Sequence, residues 1–326
     1  MGELRKDYIL ERYVLISDTR KDRPHDFNKQ QKVQIMQTNQ TNKSNKICSF
    51  CPGNEHLTTK EIMHIGKDGK WIIRVIPNKF PALELKGKSV ITTDNKYYTY
   101  SDNYGQHEII IETDKHGEQI FDYNREHLIK LLHLYKARIM ILNNIENIKY
   151  VQVIKNHGKD AGASIEHSHS QVLAYNIIPT LIQQKEQACK DKSDRFDEKC
   201  AYCEIIEREK DSYRRCFENN SFVAFTPYAS RFAYEITIFS KQHKLSLIDF
   251  NDAEIEELAD IMQKILAKLK ELGADFNFYF QNGVKDMHFH VEFTPRINIF
   301  AGFEFATDTV INTIYPEDAA KWYRGE

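Results

Sequence analysis

The 326-residue chain has no excess of either charge: 45 Lys and Arg stand against 47 Asp and Glu, a formal net charge of −2. That balance argues against a protein held on nucleic acid or anionic lipid by bulk charge. It also has no apolar run approaching the roughly 20 residues that cross a bilayer. Its first residues, Met1-Gly2-Glu3-Leu4-Arg5-Lys6-Asp7, have no apolar signal core. The expectation is a soluble, cytoplasmic protein with neither a membrane nor a nucleic-acid partner. Cysteine is scarce, six in all, and a disulfide framework belongs mainly to small secreted domains. Hydrophobic residues are not scarce: at 41%, with 12% aromatics, they exclude a disordered chain. The length suits two domains, or one large domain with an internal repeat.

Four of the six cysteines form two C-x-x-C pairs, Cys48/Cys51 and Cys200/Cys203, while Cys189 and Cys216 stand alone. In a reducing compartment such pairs point to zinc more than to redox chemistry, unless one opens the helix of a thioredoxin-like unit. Zinc takes four tetrahedral nitrogen and sulfur ligands, and a structural site is closed by protein side chains alone. Each half of the chain offers such a set: Cys48, Cys51, His116 and His167, then Cys200, Cys203, His243 and His288. Later ligands lie about 40 to 65 residues apart, too far for a zinc finger. That spacing suits a site stapling a loop to strand ends. The alternative is that the cysteines are buried apolar residues and the histidines serve no metal. His56, His64, His127 and His133 read as surface or helix-face residues.

Helical periodicity follows Asn124, with apolar residues at Leu128, Leu131, Leu132, Tyr135, Ile139 and Leu142. It recurs after Asn251 at Ile255, Leu258, Ile261, Met262, Ile265, Leu266 and Leu269. There Asn251 with Glu254 forms a capping-box-like start and Gly273 a stop. Short β-rich runs surround both: Trp71–Ile76, Glu108–Glu112, Tyr150–Ile154, Phe222–Phe225, Glu235–Phe239 and Phe276–Phe280. Long helices among non-adjacent strands predict an α+β fold. The polar stretch 28–46 reads as a mobile surface loop, and 183–199, without an apolar period, as the connection between halves.

The halves repeat one order: C-x-x-C, strand, His, helix, strand, H-x-H. Glu108 precedes His116 by eight residues as Glu235 precedes His243, and each histidine precedes its helix-opening asparagine by eight more. This predicts a duplicated α+β unit, divided as 1–182, a linker 183–199, and 200–326. The two sheets are expected to join into one platform.

The stretch from Asn156 to Gln171 concentrates polar chemistry. Gly158 and Gly162 let backbone approach a ligand and turn N–H groups inward, as phosphate oxygens require. Ser164 and Gln171 add neutral donors. His169 can attack phosphorus as a neutral imidazole, provided its other nitrogen donates its proton to a fixed acceptor. In an extended strand His167 and His169 point to the same side, so one can serve a metal while the next meets substrate. The competing reading is a glycine-rich hairpin whose histidines are both zinc ligands, or neither.

The H-x-H-x-Gln run, the upstream Asn-x-Gly, the Cys48/Cys51 pair, Pro77-Asn78-Lys79-Phe80-Pro81-Ala82 and Gly105-x-His107-Glu108 together resemble the galactose-1-phosphate uridylyltransferases. These form the transferase branch of the histidine-triad superfamily. The resemblance implies two fused histidine-triad-like repeats, with antiparallel sheets and packed helices, in a homodimer. It implies that His169 is the nucleophile that becomes nucleotidylated, and that His167 binds zinc with Cys48, Cys51 and His116. Gln171, Ser164, Asn156 and Asn78 match positions that hold the α-phosphate and nucleotide. Arg20 and Arg23 match an arginine pair near the phosphates, where a guanidinium fork suits the oxygens; otherwise they belong to a solvated charged loop.

The sequence departs from many uridylyltransferases at Ser168 and Ser170, and at Asn298, Phe303 and Val310, positions that help hold the hexose phosphate there. The His-Ser-His-Ser-Gln form, the second C-x-x-C set and the tail from Gly302 to Asp318 resemble a sister group that includes ADP-glucose phosphorylase. His290 and Glu292 are expected to be structural or dimer-interface residues. The leading expectation is transfer of a nucleoside monophosphate from a UDP-hexose to a hexose 1-phosphate through a histidyl intermediate. The alternative is an ADP-glucose phosphorylase-like reaction with inorganic phosphate. A histidine-triad hydrolase is disfavoured because Gln171 stands where those enzymes place a further histidine. A non-catalytic, zinc-stapled binding module comes last, since no Lys/Arg stripe interleaves with aromatics.

Overall fold

The computed structural model describes residues 3–16, 47–196 and 200–326. Arg20, Arg23 and the polar stretch 28–46 lie outside the described residues. In chain order the strands of the first half are β1 (Glu3–Lys6), β2 (Tyr13–Ile16), β3 (Met63–Lys67), β4 (Lys70–Pro77), β5 (Thr92–Asp94), β6 (Tyr98–Tyr100) and β7 (Gly105–Ile111). Helix α1 (Arg125–Asn143) follows, then β8 (Tyr150–His157), β9 (His169–Tyr175), α2 (Thr180–Phe196) and α3 (Ala201–Glu209). The second half continues with β10 (Arg215–Glu218), β11 (Phe222–Phe225), β12 (Ile236–Ser240), α4 (Asp252–Leu272), β13 (Phe276–Gln281) and β14 (His290–Pro295). It ends with α5 (Gly302–Thr307), β15 (Val310–Asn312) and α6 (Pro316–Arg324). No described helix is long and apolar enough to cross a membrane.

The two long helices begin where the sequence places them. The Asn124 side chain accepts the His127 N–H and caps α1. On α4 the Asn251–Glu254 capping box is reciprocal, and Gly273 ends the helix at φ 64° with its N–H on Leu269 and Lys270. Each cap satisfies backbone groups that the helix itself leaves unpaired. The apolar stripes of α1 and α4 lie buried together in one large cluster with Val153 and Val172 from the first half and Phe278 and Phe293 from the second. Truncating a fully buried member such as Leu131 would cost ~2–5 kcal/mol. Both helices therefore cover one face of the sheet; on the other face α2 and α3 pack against Val223, Phe225 and Phe239 of the second half, and the part beside β9 is left for chemistry.

That sheet has ten strands in the order β10-β11-β12-β14-β13-β8-β9-β7-β4-β3. Every pairing in it is antiparallel. The platform is continuous across the halves because β8 pairs with β13, placing Asn156 opposite Asn277 and His157 opposite Phe276. A three-stranded sheet joins β1, β2 and β15.

The connecting segment 183–199 is helical as far as Phe196 and belongs to α2, which buries Ile182, Lys185 and Cys189. Its buried face is narrow and includes a lysine, so the segment carries no simple apolar period.

Candidate active site and metal sets

Strand alternation decides which side chains reach the face turned away from α1 and α4. On β9, Val172 and Ala174 enter the helix-covered core, and Ser170 hydrogen-bonds Tyr135 of α1. His169 and Gln171 must therefore point the other way. The His169 Nδ1 lies 2.9 Å from the His167 carbonyl oxygen. A carbonyl only accepts, so Nδ1 carries the proton and Nε2 keeps its lone pair. Burial, reinforced by the Lys155 charge, lowers the His169 pKa below the usual imidazole value.

His169 stands where two cavities meet. One, of about 670 Å³, is lined among others by Asn156, Gly158, Ser164, His167 and His169. The other, of about 200 Å³, is lined by Phe50, Asn78, Ser164, Ile165, His169 and Gln171 among others. Of the residues singled out from sequence, His169, Gln171, Ser164, Asn78, Asn156 and Gly158 are thus brought together. Gly162 lies behind this lining and shapes its loop. Gly158 at φ 83° and Gly162 at φ 87° hold left-handed backbone, which glycine adopts without a Cβ penalty. At Gly158 a Cβ would also lie 2.1 Å from the Asp275 carboxylate.

Several residues that position this site gave no signal in the sequence. Asp275 accepts the Asp160 N–H at 2.6 Å. Asn277 donates to Asn156 Oδ1 and to the Ala161 carbonyl, both at 2.8 Å. The second half thereby holds the glycine-rich loop of the first. Beneath β9, buried Glu112 takes the Lys155 ammonium, the hydroxyls of Ser170 and of Ser168 at 2.7 Å, and Tyr135 at 2.9 Å. Burial alone would raise the Glu112 carboxyl; Lys155 and the hydroxyls bring it below the usual carboxylate range. A buried carboxylate is tolerable only with such full pairing.

Both Cys/His sets assemble. In each, the four ligand atoms lie within 4.8 Å of one another and could hold a metal ion. Cys51 Sγ is 3.4 Å from His116 Nδ1 and 3.7 Å from His167 Nδ1. Cys203 Sγ is 3.6 Å from both His243 Nδ1 and His288 Nδ1. Tetrahedral zinc bonds of about 2.3 Å to sulfur and 2.1 Å to nitrogen place S and N about 3.6 Å apart, so the donors fit. The far nitrogens are also held, His167 Nε2 by the Thr113 carbonyl at 2.8 Å and His288 Nε2 by the Ser240 carbonyl at 2.7 Å. These bonds fix the tautomer that leaves Nδ1 free for a metal.

Other expectations fare differently. His290 is 2% exposed within the single chain, so it is a structural residue and not a surface for a second copy. Val310 is 1% exposed and pairs with Val14 in the small sheet, so it cannot reach a ligand. Asn298 lines a separate cavity of about 380 Å³ that shares no lining residue with those at His169. His127 faces inward, its Nε2 2.6 Å from the Glu112 carbonyl.

A family model described as "Galactose-1-phosphate uridyl transferase, N-terminal domain" matches residues 2–179. A second, described as a domain of unknown function (DUF4921), matches 117–322. The chain is 30% identical to the ADP-glucose phosphorylase of Arabidopsis thaliana over 99% of its length and 92% of that protein. It is 26% identical to the galactose-1-phosphate uridylyltransferase of Thermotoga maritima, over 99% and 98%. A crystal structure of the Arabidopsis thaliana ADP-glucose phosphorylase with bound ADP-glucose superimposes with a TM-score of 0.85 at 29% identity, covering 100% of this chain and 99% of that one.

Proposed function

The chain belongs to the galactose-1-phosphate uridyl transferase family, a family of nucleotidyltransferases, and from that premise we propose that His169 accepts a nucleoside monophosphate from a nucleotide sugar. The observation that carries this reading is the open Nε2 of His169 at the meeting of two cavities, with Nδ1 tied to the His167 carbonyl. Nε2 attacks the α-phosphorus in line and expels the hexose 1-phosphate. An acceptor phosphate then expels His169, and two inversions give retention at phosphorus. Ser164 and Gln171 supply neutral donors to the equatorial oxygens, and Asn78, Asn156 and the Gly158–Gly162 loop orient the nucleotide. Preorganised donors of this kind supply most of the rate in transfer at phosphorus. Arg20 and Arg23 are assigned to the phosphates by family position alone.

Of the two donor and acceptor pairs, we place ADP-glucose with inorganic phosphate first. The supporting observation is the similarity to an ADP-glucose phosphorylase across 99% of the chain, with the matching structural superposition. UDP-hexose with hexose 1-phosphate comes second, on the 26% identity to the Thermotoga maritima enzyme. Both Cys2His2 sets are read as structural zinc sites: each has four soft or borderline ligands and no place for water. Bound zinc would tie the C-x-x-C loops to the strand ends. Thiolate ligands suit a reducing cytoplasm, and family membership favours a homodimer.

The test is intact-mass spectrometry after incubation with ADP-glucose or UDP-glucose, without acceptor. An adduct of one nucleoside monophosphate supports the reading, and its mass names the base. Absence of an adduct with both donors overturns it. The trapped species is then offered phosphate and hexose 1-phosphates separately. Discharge by galactose 1-phosphate at least about a hundredfold faster than by phosphate, ~3 kcal/mol of discrimination, would reverse the order of the two pairs.

A further inference from the structure

We propose that His107 is a positioning residue that decides which end of the Gln171 carboxamide faces the reacting phosphate. The inference rests on the nucleotidyl-transfer reading above. Strands β7 and β9 are antiparallel neighbours with Ile109 opposite Gln171 and His107 opposite Leu173. Directly opposed residues share a face, so His107, two residues before Ile109, is the diagonal neighbour of Gln171.

The hydrogen bonds around the ring fix its tautomer. The Ala82 backbone N–H points at His107 Nδ1 over 3.2 Å. A backbone N–H can only donate, so Nδ1 keeps its lone pair and the single proton of a neutral imidazole sits on Nε2. His107 is 8% exposed, and that burial lowers its pKa below the usual imidazole value, in keeping with a neutral ring. Nε2 lies 2.9 Å from Gln171 Oε1. The other polar neighbour, Asn78 Nδ2 at 3.1 Å, cannot accept, because Asn78 turns its Oδ1 to the Phe80 N–H at 2.9 Å. Nε2–H therefore donates to Gln171 Oε1, and the Gln171 NH2 turns toward the cavity shared with His169 and Ser164.

That choice of end matters chemically. Phosphate oxygens only accept, so the NH2 end helps an in-line displacement and the carbonyl end opposes it. Without a fixed donor behind it, the carboxamide can rotate by half a turn. One ring thus links the Pro77–Ala82 turn, the Gly105-x-His107 strand and the nucleophile's strand.

Three measurements test this. Histidine ¹⁵N spectra of the labelled protein, with the His107 signals identified by their loss in His107→Gln, should show Nε2 protonated and Nδ1 bare. A protonated Nδ1 overturns the proposal whatever the enzyme's activity. His107→Phe keeps the ring's bulk but removes the donor, and should slow formation of the His169 adduct by on the order of 10- to 100-fold with little change in donor KM. The same change in a Gln171→Ala background should cost less than about threefold, since no amide remains to be oriented. His107→Gln, whose side-chain N–H can reach Gln171, should recover part of the rate. Equal losses in both backgrounds, or no recovery, overturn the positioning role. A wild-type protein that forms no adduct with either donor overturns the transfer reading instead, and the tautomer measurement still decides the hydrogen bond.

Discussion

On β9, His169 turns Nδ1 to the His167 carbonyl at 2.9 Å, and on β14, His290 turns Nδ1 to the His288 carbonyl at 2.8 Å. Each strand follows a Cys2His2 set, and both histidines turn away from the core covered by α1 and α4, His290 beneath Tyr202 of α3. They diverge two residues later. Gln171 is a neutral amide at the edge of an open cavity. Glu292 is a carboxylate that meets His290 Nε2 at 3.1 Å and takes Tyr279 at 2.8 Å and Lys185 of α2 at 2.5 Å. Desolvation opposes its ionisation, but Lys185 and His290 bring its pKa well below the usual carboxylate value. The space left there, beside Asp7, Tyr8 and Arg12, is about 60 Å³. One backbone arrangement therefore presents a free nitrogen in one half and a satisfied ion network in the other.

Replacing each of the two histidines in turn should break the comparison most visibly. His169→Asn should reduce adduct formation by about 10⁴-fold or more, over 5 kcal/mol, without loss of metal. His290→Asn should leave adduct formation per folded molecule within about threefold. The check is intact-mass spectrometry with elemental analysis. Adduct persisting in His169→Asn places the nucleophile elsewhere.

Metal comes next. Two ions per chain are expected, and Cys51→Ser and Cys203→Ser should each lose one. Metal that binds only the native state adds several kcal/mol of folding free energy, so chelators should lower Tm markedly. Cys51→Ser should also slow adduct formation, because His167 holds His169 through its carbonyl; Cys203→Ser should lose mainly stability. Elemental analysis and thermal melts decide it.

Glu292→Gln sharpens the contrast by making the second half resemble the first. It leaves Lys185 buried and unpaired and should destabilise by ~3–5 kcal/mol in denaturant titrations. Adding Lys185→Met should recover most of that loss.

The smallest effect concerns pH. Glu235 is pushed up to about 7 by burial first and by the Glu292 charge second, while its carboxylate accepts the Arg231 and Phe232 N–H groups at 2.6 and 3.0 Å. A folded pKa above the unfolded one means that the native state holds the proton more tightly. Stability is thus full below about 4.5 and is lost as pH rises through about 7. Glu235→Gln should flatten that fall and gain on the order of 1–3 kcal/mol at pH 8, read from Tm against pH.

Both long helices, their caps and the two C-x-x-C pairs were legible because each rests on local chemistry, and the histidines that join those pairs were legible from the repeated order of the two halves. A capping asparagine, an apolar stripe or a C-x-x-C pair needs only near neighbours to be recognised. The His169–Gln171 strand was legible for the same reason: alternation alone puts both on one face. Helix α2 was not, since the Lys185 on its buried side is paired with Glu292, 107 residues further along the chain. Nor was the role of Val310, which only its pairing with β2 reveals.

The sequence by itself determined the α+β class, the repeated order of cysteines and histidines and the strand that carries His169 and Gln171, because period, capping and residue type are short-range properties. Only the tertiary structure decided which histidine stays free. Lys185, Asp275, Asn277 and Ala82 reach their partners across 25 to 121 residues, and a hydrogen bond depends on distance in space, which no spacing along the chain encodes.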